Sequence, residues 1–133
     1  MPKQVPRNVK GFNPFADLVG LQVVLSEHGR SQCTLVVTDA LLNPYKVLHG
    51  GVLYTLADVC MASALYAVMD ENEMCATIEI KISYFAPVRE GAVVCDAIVT
   101  HKTRRFAFLE AELKNDNRVV AKTTGTFAIM QGR

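Results

Sequence analysis

VLYTLADVCMASALYAVM, residues 52–69, decides the fold. The run is too long for an ordinary strand and rich in Ala, Leu and Met, so it reads as a helix. It is apolar almost all the way round, and Asp58 is its only charge. A surface helix would carry a charged face; this one must be buried on most sides. Its length also raises a membrane span. A carboxylate at mid-span is costly in lipid, and the flanks lack interfacial anchors, so a buried soluble helix is the better reading.

The chain on either side of this helix reads as β-structure. Residues 1–13 look like a flexible arm, and residues 14–133 form one domain. Pro14 opens a short helical turn through Asp17. Leu18 to Ser26 and Gln32 to Val37 read as strands, joined by the turn Glu27-His28-Gly29-Arg30. Met74 to Ala86 alternates, with Ala76, Ile78, Ile80, Ile82 and Tyr84 on one face and Thr77, Glu79, Lys81 and Ser83 on the other. Val93 to His101, Phe106 to Leu113 and Val119 to Met130 complete the set, with Asn115-Asp116-Asn117 as a hairpin turn. The expected class is α+β, with an antiparallel sheet of five to six strands curled around one central helix.

Composition excludes several function classes. Half of the 133 residues are hydrophobic and a fifth are charged, enough for a real core, and the net charge of +1 gives no bulk attraction to nucleic acid or anionic membrane. Cys33, Cys60, Cys75 and Cys95 form no CxxC pair, and His28, His49 and His101 are equally scattered, so no metal site is expected. The N-terminal residues are polar and contain no apolar signal-like core. The cysteines then read as reduced thiols in the cytoplasm.

The segment just before the helix and the helix itself carry the chemistry. Asn43 is followed six residues later by His49-Gly50-Gly51, and Asp58 lies eight residues after Gly50. The first backbone N–H groups of a helix have no intrahelical partner and sit at its positive end, so Gly50 and Gly51 offer a cradle for a developing oxyanion. Glycine lets a substrate approach that backbone. Asp58, buried in an apolar helix, should have a raised pKa and serve as a base or as a direct nucleophile. Gly50 and Asp58 stand about 12 Å apart along one helix axis, at 1.5 Å per residue. One reacting carbon cannot touch both. If both act on it, they come from different subunits, and a symmetric dimer contains two such sites.

The Asn43, His49-Gly50-Gly51 and Asp58 pattern resembles the phenylacetate-degradation, PaaI-like branch of the hotdog thioesterases, of the hydroxybenzoyl-CoA thioesterase type. The resemblance continues through Thr77-Ile-Glu-Ile-Lys-Ile-Ser-Tyr-Phe-Ala-Pro87 and Gly91 and covers roughly residues 14–130. It implies a hotdog fold, hydrolysis of an acyl-CoA, and a dimer that pairs into a tetramer. It implies that Asn43 and His49 polarise the thioester or assist the leaving group, and that Thr77 helps hold the attacking water. No cofactor is expected, since CoA belongs to the substrate.

The cluster His101-Lys102-Thr103-Arg104-Arg105 suits CoA phosphates, with Lys102, Arg104 and Arg105 as ligands and Arg89 and Lys122 expected nearby. Tyr54, Met61, Tyr66 and Met69 either line an acyl pocket or simply pack the core. Aromatic and medium-chain acyl groups are both admissible. Two other readings use the same fold: a dehydratase or hydratase, and an acyl-CoA-binding module without turnover. The Gly-Gly after His49, and the absence of a basic stripe, argue against each in turn.

Overall fold

The computed structural model describes residues 2–3 and 9–132. The middle of the expected N-terminal arm, residues 4–8, therefore lies outside the described residues. The elements are helix α1 (Pro14–Val19), strands β1 (Gln22–Glu27) and β2 (Arg30–Val36), a short 3-10 turn (Asp39–Leu41), helix α2 (Gly50–Tyr66), and strands β3 (Glu73–Tyr84), β4 (Ala92–Lys102), β5 (Phe106–Asn115) and β6 (Arg118–Gln131). All six strands join one antiparallel sheet in the order β1-β2-β4-β5-β6-β3, and α2 touches every one of them. This is the hotdog arrangement, with β1 and β3 at the two edges.

The core lies between α2 and the inner face of the sheet. Leu56, Ala57, Cys60, Met61, Ala64 and Leu65 are fully buried, against Cys33, Leu35, Val93, Cys95, Leu109 and Phe127. Gly125 on β6 makes room for this packing, because a Cβ there would sit 3.1 Å from the Met61 methyl. Burying a Leu, Val, Met or Phe side chain of this core stabilises by about 1.5–3 kcal/mol, before the entropy of ordering it.

Two local expectations are corrected. Leu18 and Val19 are helical, and β1 starts only at Gln22. The Asn13 side chain accepts from Ala16 N at 3.1 Å to start α1, and Gly20, left-handed at φ 77°, ends it. These two caps override the apolar run Leu18 to Leu25. The second correction concerns β3. Its ladder with β6 pairs Thr77 with Phe127 and Glu79 with Thr126, so Ile78 is an extra residue in a bulge. The bulge reverses the alternation. Cys75 and Thr77 therefore face the helix, Ile80 and Ile82 do so beyond it, and Ala76 and Ile78 point outward and are exposed.

Candidate active site

α2 begins where His49 caps it. The His49 ring accepts a hydrogen bond at Nδ1 from Gly51 N–H, 2.8 Å away, and His49 O accepts from Val52 N–H at 2.9 Å. Gly50 N–H makes no hydrogen bond among the described residues. It is the free donor at the positive end of the helix. Because Nδ1 of His49 accepts, the proton of the neutral ring sits on Nε2, which makes His49 a second donor. Neither glycine is needed for a positive φ. Each makes room for a ring: a Cβ on Gly50 would lie 3.0 Å from the Tyr84 hydroxyl, and one on Gly51 would lie 3.0 Å from His49 Nδ1.

The loop before His49 is shaped by Asn43. Its Oδ1 accepts from Tyr45 N–H at 2.9 Å and Val47 N–H at 3.3 Å, closing a turn in which Lys46 is left-handed at φ 65°. Leu48 N–H donates to Val88 O at 2.7 Å, and His49 N–H donates to Leu41 O at 2.9 Å. The Asn43 side-chain oxygen is thus occupied in holding the loop, and Arg89 stands beside the loop through its neighbour Val88.

Asp58 sits on a stripe of α2 that the sheet leaves uncovered, together with Tyr54, Thr55, Val59, Ala62 and Tyr66. Asp58 Oδ1 accepts from the Thr77 hydroxyl at 2.9 Å. Burial raises the pKa of Asp58 above its ordinary value, and the Thr77 hydrogen bond opposes that rise. The carboxylate borders a cleft of about 570 Å³, whose inner side carries Val59, Ala62 and Tyr66 and whose outer side carries Phe12, Ala16 and Leu21. Ser63 also borders the cleft; its hydroxyl is buried and makes no hydrogen bond among the described residues.

The expected residues therefore fall into two groups within one chain. Asp58 and Thr77 meet beside the cleft; Asn43, His49, Gly50, Gly51 and Arg89 gather at the start of α2. Tyr66 lines the cleft, whereas Met61 and Met69 are fully buried in the core and Tyr54 lies outside it. The basic hairpin is exposed, and Lys102, Arg104 and Arg105 make no ion pair among the described residues. It stands at the Asp58 end of the sheet, since Ile129 N–H donates to Arg105 O and Ile129 pairs with Cys75. Arg89 and Lys122 do not join it in this chain. Lys122 pairs with Glu112, six residues or roughly 20 Å along β5 from Phe106, and forms an ion pair with Glu112 at 3.6 Å.

Sequence reasoning missed the outer side of the cleft, because it read part of α1 as strand. It also missed Tyr84, whose hydroxyl donates to Gly50 O at 2.7 Å. A tyrosine on an alternating strand reads as packing, and nothing local marks the contact. Among the described residues no cluster of three metal-ligating side chains occurs, and no helix is long and apolar enough to cross a membrane.

One hotdog domain thus carries a helix-start donor and a partly buried carboxylate on the same helix. The sequence profile of the thioesterase superfamily matches residues 45–122, and the chain belongs to that family. A relative from Caenorhabditis elegans is 36% identical over 101 residues, which span 74% of this chain and 59% of that protein's length. The acyl-coenzyme A thioesterase PaaI of Escherichia coli is 26% identical over 113 residues, spanning 84% of this chain and 76% of PaaI. The solved structure of the conserved protein PA5202 from Pseudomonas aeruginosa superposes with a TM-score of 0.89 at 35% identity, covering 94% of this chain and 100% of that one.

Proposed function

We propose that the chain hydrolyses an acyl-CoA to the free acid and CoA, at a site built from two copies. The observation that carries this reading is the pairing of Asp58, beside an open cleft, with a free Gly50 N–H eight residues away on the same helix. About 12 Å of helix separates them. β3, an edge strand, holds Thr77 near one end and Tyr84 at the other. If β3 pairs antiparallel with its twin, Glu79 opposite the partner's Lys81, the Thr77 end of each strand lies beside the Tyr84 end of the other. The uncovered stripe of α2 then faces the partner.

In this site the thioester oxygen accepts from Gly50 N–H and from His49 Nε2–H. Asp58 takes a proton from water as the water oxygen bonds to the carbonyl carbon. The tetrahedral oxyanion then collapses, the C–S bond breaks, and the CoA thiolate leaves and is protonated. The alternative is direct attack by the carboxylate on the carbonyl carbon; the C–S bond breaks, the thiolate leaves, and water cleaves the resulting anhydride to the free acid and the regenerated Asp58 carboxylate. Thr77 holds Asp58 in either case. Lys102, Arg104 and Arg105 supply cations for CoA phosphates, and Arg89 contributes from the other end. The cleft takes an aromatic or medium-chain acyl group. We place the work in the reducing cytoplasm, consistent with four free cysteines, and expect the dimers to pair into tetramers.

Release of free thiol from a panel of acyl-CoA esters tests the activity, and binding without release rejects it. Mixed dimers test the shared site. One chain carries Asp58→Asn and its partner Gly50→Val. Both lesions can then fall in one site and leave the other intact, so mixtures should regain activity that neither parent has. No recovery, with mixed dimers confirmed, rejects the shared site.

A further inference from the structure

We propose that Tyr84 is a positioning residue that fixes the tautomer of His49 through the Gly50–Gly51 peptide group. The three groups form one chain of hydrogen bonds. The Tyr84 hydroxyl donates to Gly50 O at 2.7 Å. The amide bonded to that carbonyl is Gly51 N–H, which donates to His49 Nδ1 at 2.8 Å. A donor at the carbonyl draws electron density through the peptide resonance and makes the attached N–H a stronger donor. Nδ1 is held as an acceptor, and the ring proton is held on Nε2, where it faces away from the backbone.

The fit around this chain supports the assignment. The Tyr84 ring and hydroxyl lie 3.0–3.4 Å from the place a Gly50 Cβ would occupy, and the His49 ring lies 3.0 Å from that of Gly51. A Cβ on either glycine would force its ring to give by a few tenths of an ångström. Tyr84 belongs to β3 and His49 to the cap of α2, so the chain also ties the edge strand to the helix start. Burial, and secondarily Tyr54, raise the pKa of Tyr84 and keep its hydroxyl protonated as a donor. The catalytic consequence rests on the function proposed above, whereas the tautomer does not.

Nitrogen-15 NMR of imidazole-labelled protein reads the tautomer directly, at a pH above the usual imidazole range, with His28 and His101 as internal references. Wild-type His49 should carry its proton on Nε2, and Tyr84→Phe, which keeps the ring, should raise the Nδ1-protonated fraction. A wild-type His49 protonated on Nδ1 overturns the proposal without any variant, as does a tautomer that Tyr84→Phe leaves unchanged. In turnover, Tyr84→Phe should lower kcat/KM for a cleaved acyl-CoA about twofold, the scale of one weakened hydrogen bond, and should cause no further loss when His49→Ala is already present. Equal losses in both backgrounds mean that Tyr84 does not act through His49 and overturn the proposal. A chain that cleaves no acyl-CoA rejects the function, and the NMR result still decides the role of Tyr84.

Discussion

Asp58 was legible in the sequence because a lone carboxylate in an apolar helix has few structural reasons to be there. Its partner was not legible on physical grounds, since a threonine on a strand is commonplace, and only the resemblance singled out Thr77. The 2.9 Å hydrogen bond between them now gives each a separable signature. Asp58→Asn should lower kcat by roughly 10² or more, since positioned acid–base groups contribute about 10²–10⁴. Burial raises the folded-state pKa of Asp58 above 3.8, so the native chain keeps this proton to higher pH than the unfolded chain. The stability Asp58 contributes is therefore complete below 3.8 and is lost as pH rises through the folded value. Asp58→Asn should raise Tm at neutral pH, and the gain should vanish below 3.8, which calorimetry across pH will show. Thr77→Val removes the interaction that holds the carboxylate pKa down. The acid limb of its kcat/KM–pH profile should move to higher pH than in the wild type, and an unmoved limb would detach Thr77 from Asp58.

At the level of elements, periodicity found α2 and six strands, and it failed where a single residue breaks the period. Gly20 ends α1 by taking a left-handed conformation, which no apolar count foresees. Ile78 inserts one residue into β3, and strict alternation then assigns the wrong face to Thr77. The turns were easier, because their residue types state the geometry. Asp116 and Asn117 are both left-handed, as a two-residue hairpin requires. The bulge makes a sharp prediction. Deleting Ile78 lets β3 and β6 pair without interruption and leaves Thr77 opposite Phe127, still facing α2. The deletion variant should keep a cooperative thermal transition, and its kcat should fall by less than the roughly 10² that a 1 Å misplacement at a reacting group costs. A loss of about 10² or more would show that the bulge itself orients Thr77 for the reaction.

Across the whole molecule, the two groups of proposed site residues lie toward opposite ends of β3, and the cations proposed for CoA divide the same way. Arg104 and Arg105 stand at the Asp58 end and Arg89 at the Gly50 end. The sequence could cluster Lys102, Arg104 and Arg105 because they are neighbours in the chain. It could not place Lys122, whose position depends on strand register, or Arg89, which the loop after β3 carries to the start of α2. If the hairpin holds phosphates, changing Arg104 and Arg105 together to Ala should raise KM several-fold at low salt with kcat little altered. The difference from wild type should shrink as salt rises, because exposed charges are screened beyond about 10 Å at 0.1 M. Equal KM values at low salt would remove the hairpin from CoA recognition.

The outer side of the cleft has a consequence of another kind. It is built largely by α1 and its flanks, six helical residues capped by Asn13 and Gly20, whereas every group assigned to the reaction lies from Asn43 onward. If the cleft holds the acyl group as proposed, its outer side is written in a stretch of chain separate from the reacting groups, while its inner side adjoins Asp58 on α2. A lineage that needs a new acyl preference can exchange a short leading segment and inherit the hydrolytic apparatus untouched. Such a division lets one reaction diversify across many substrates without passing through inactive intermediates.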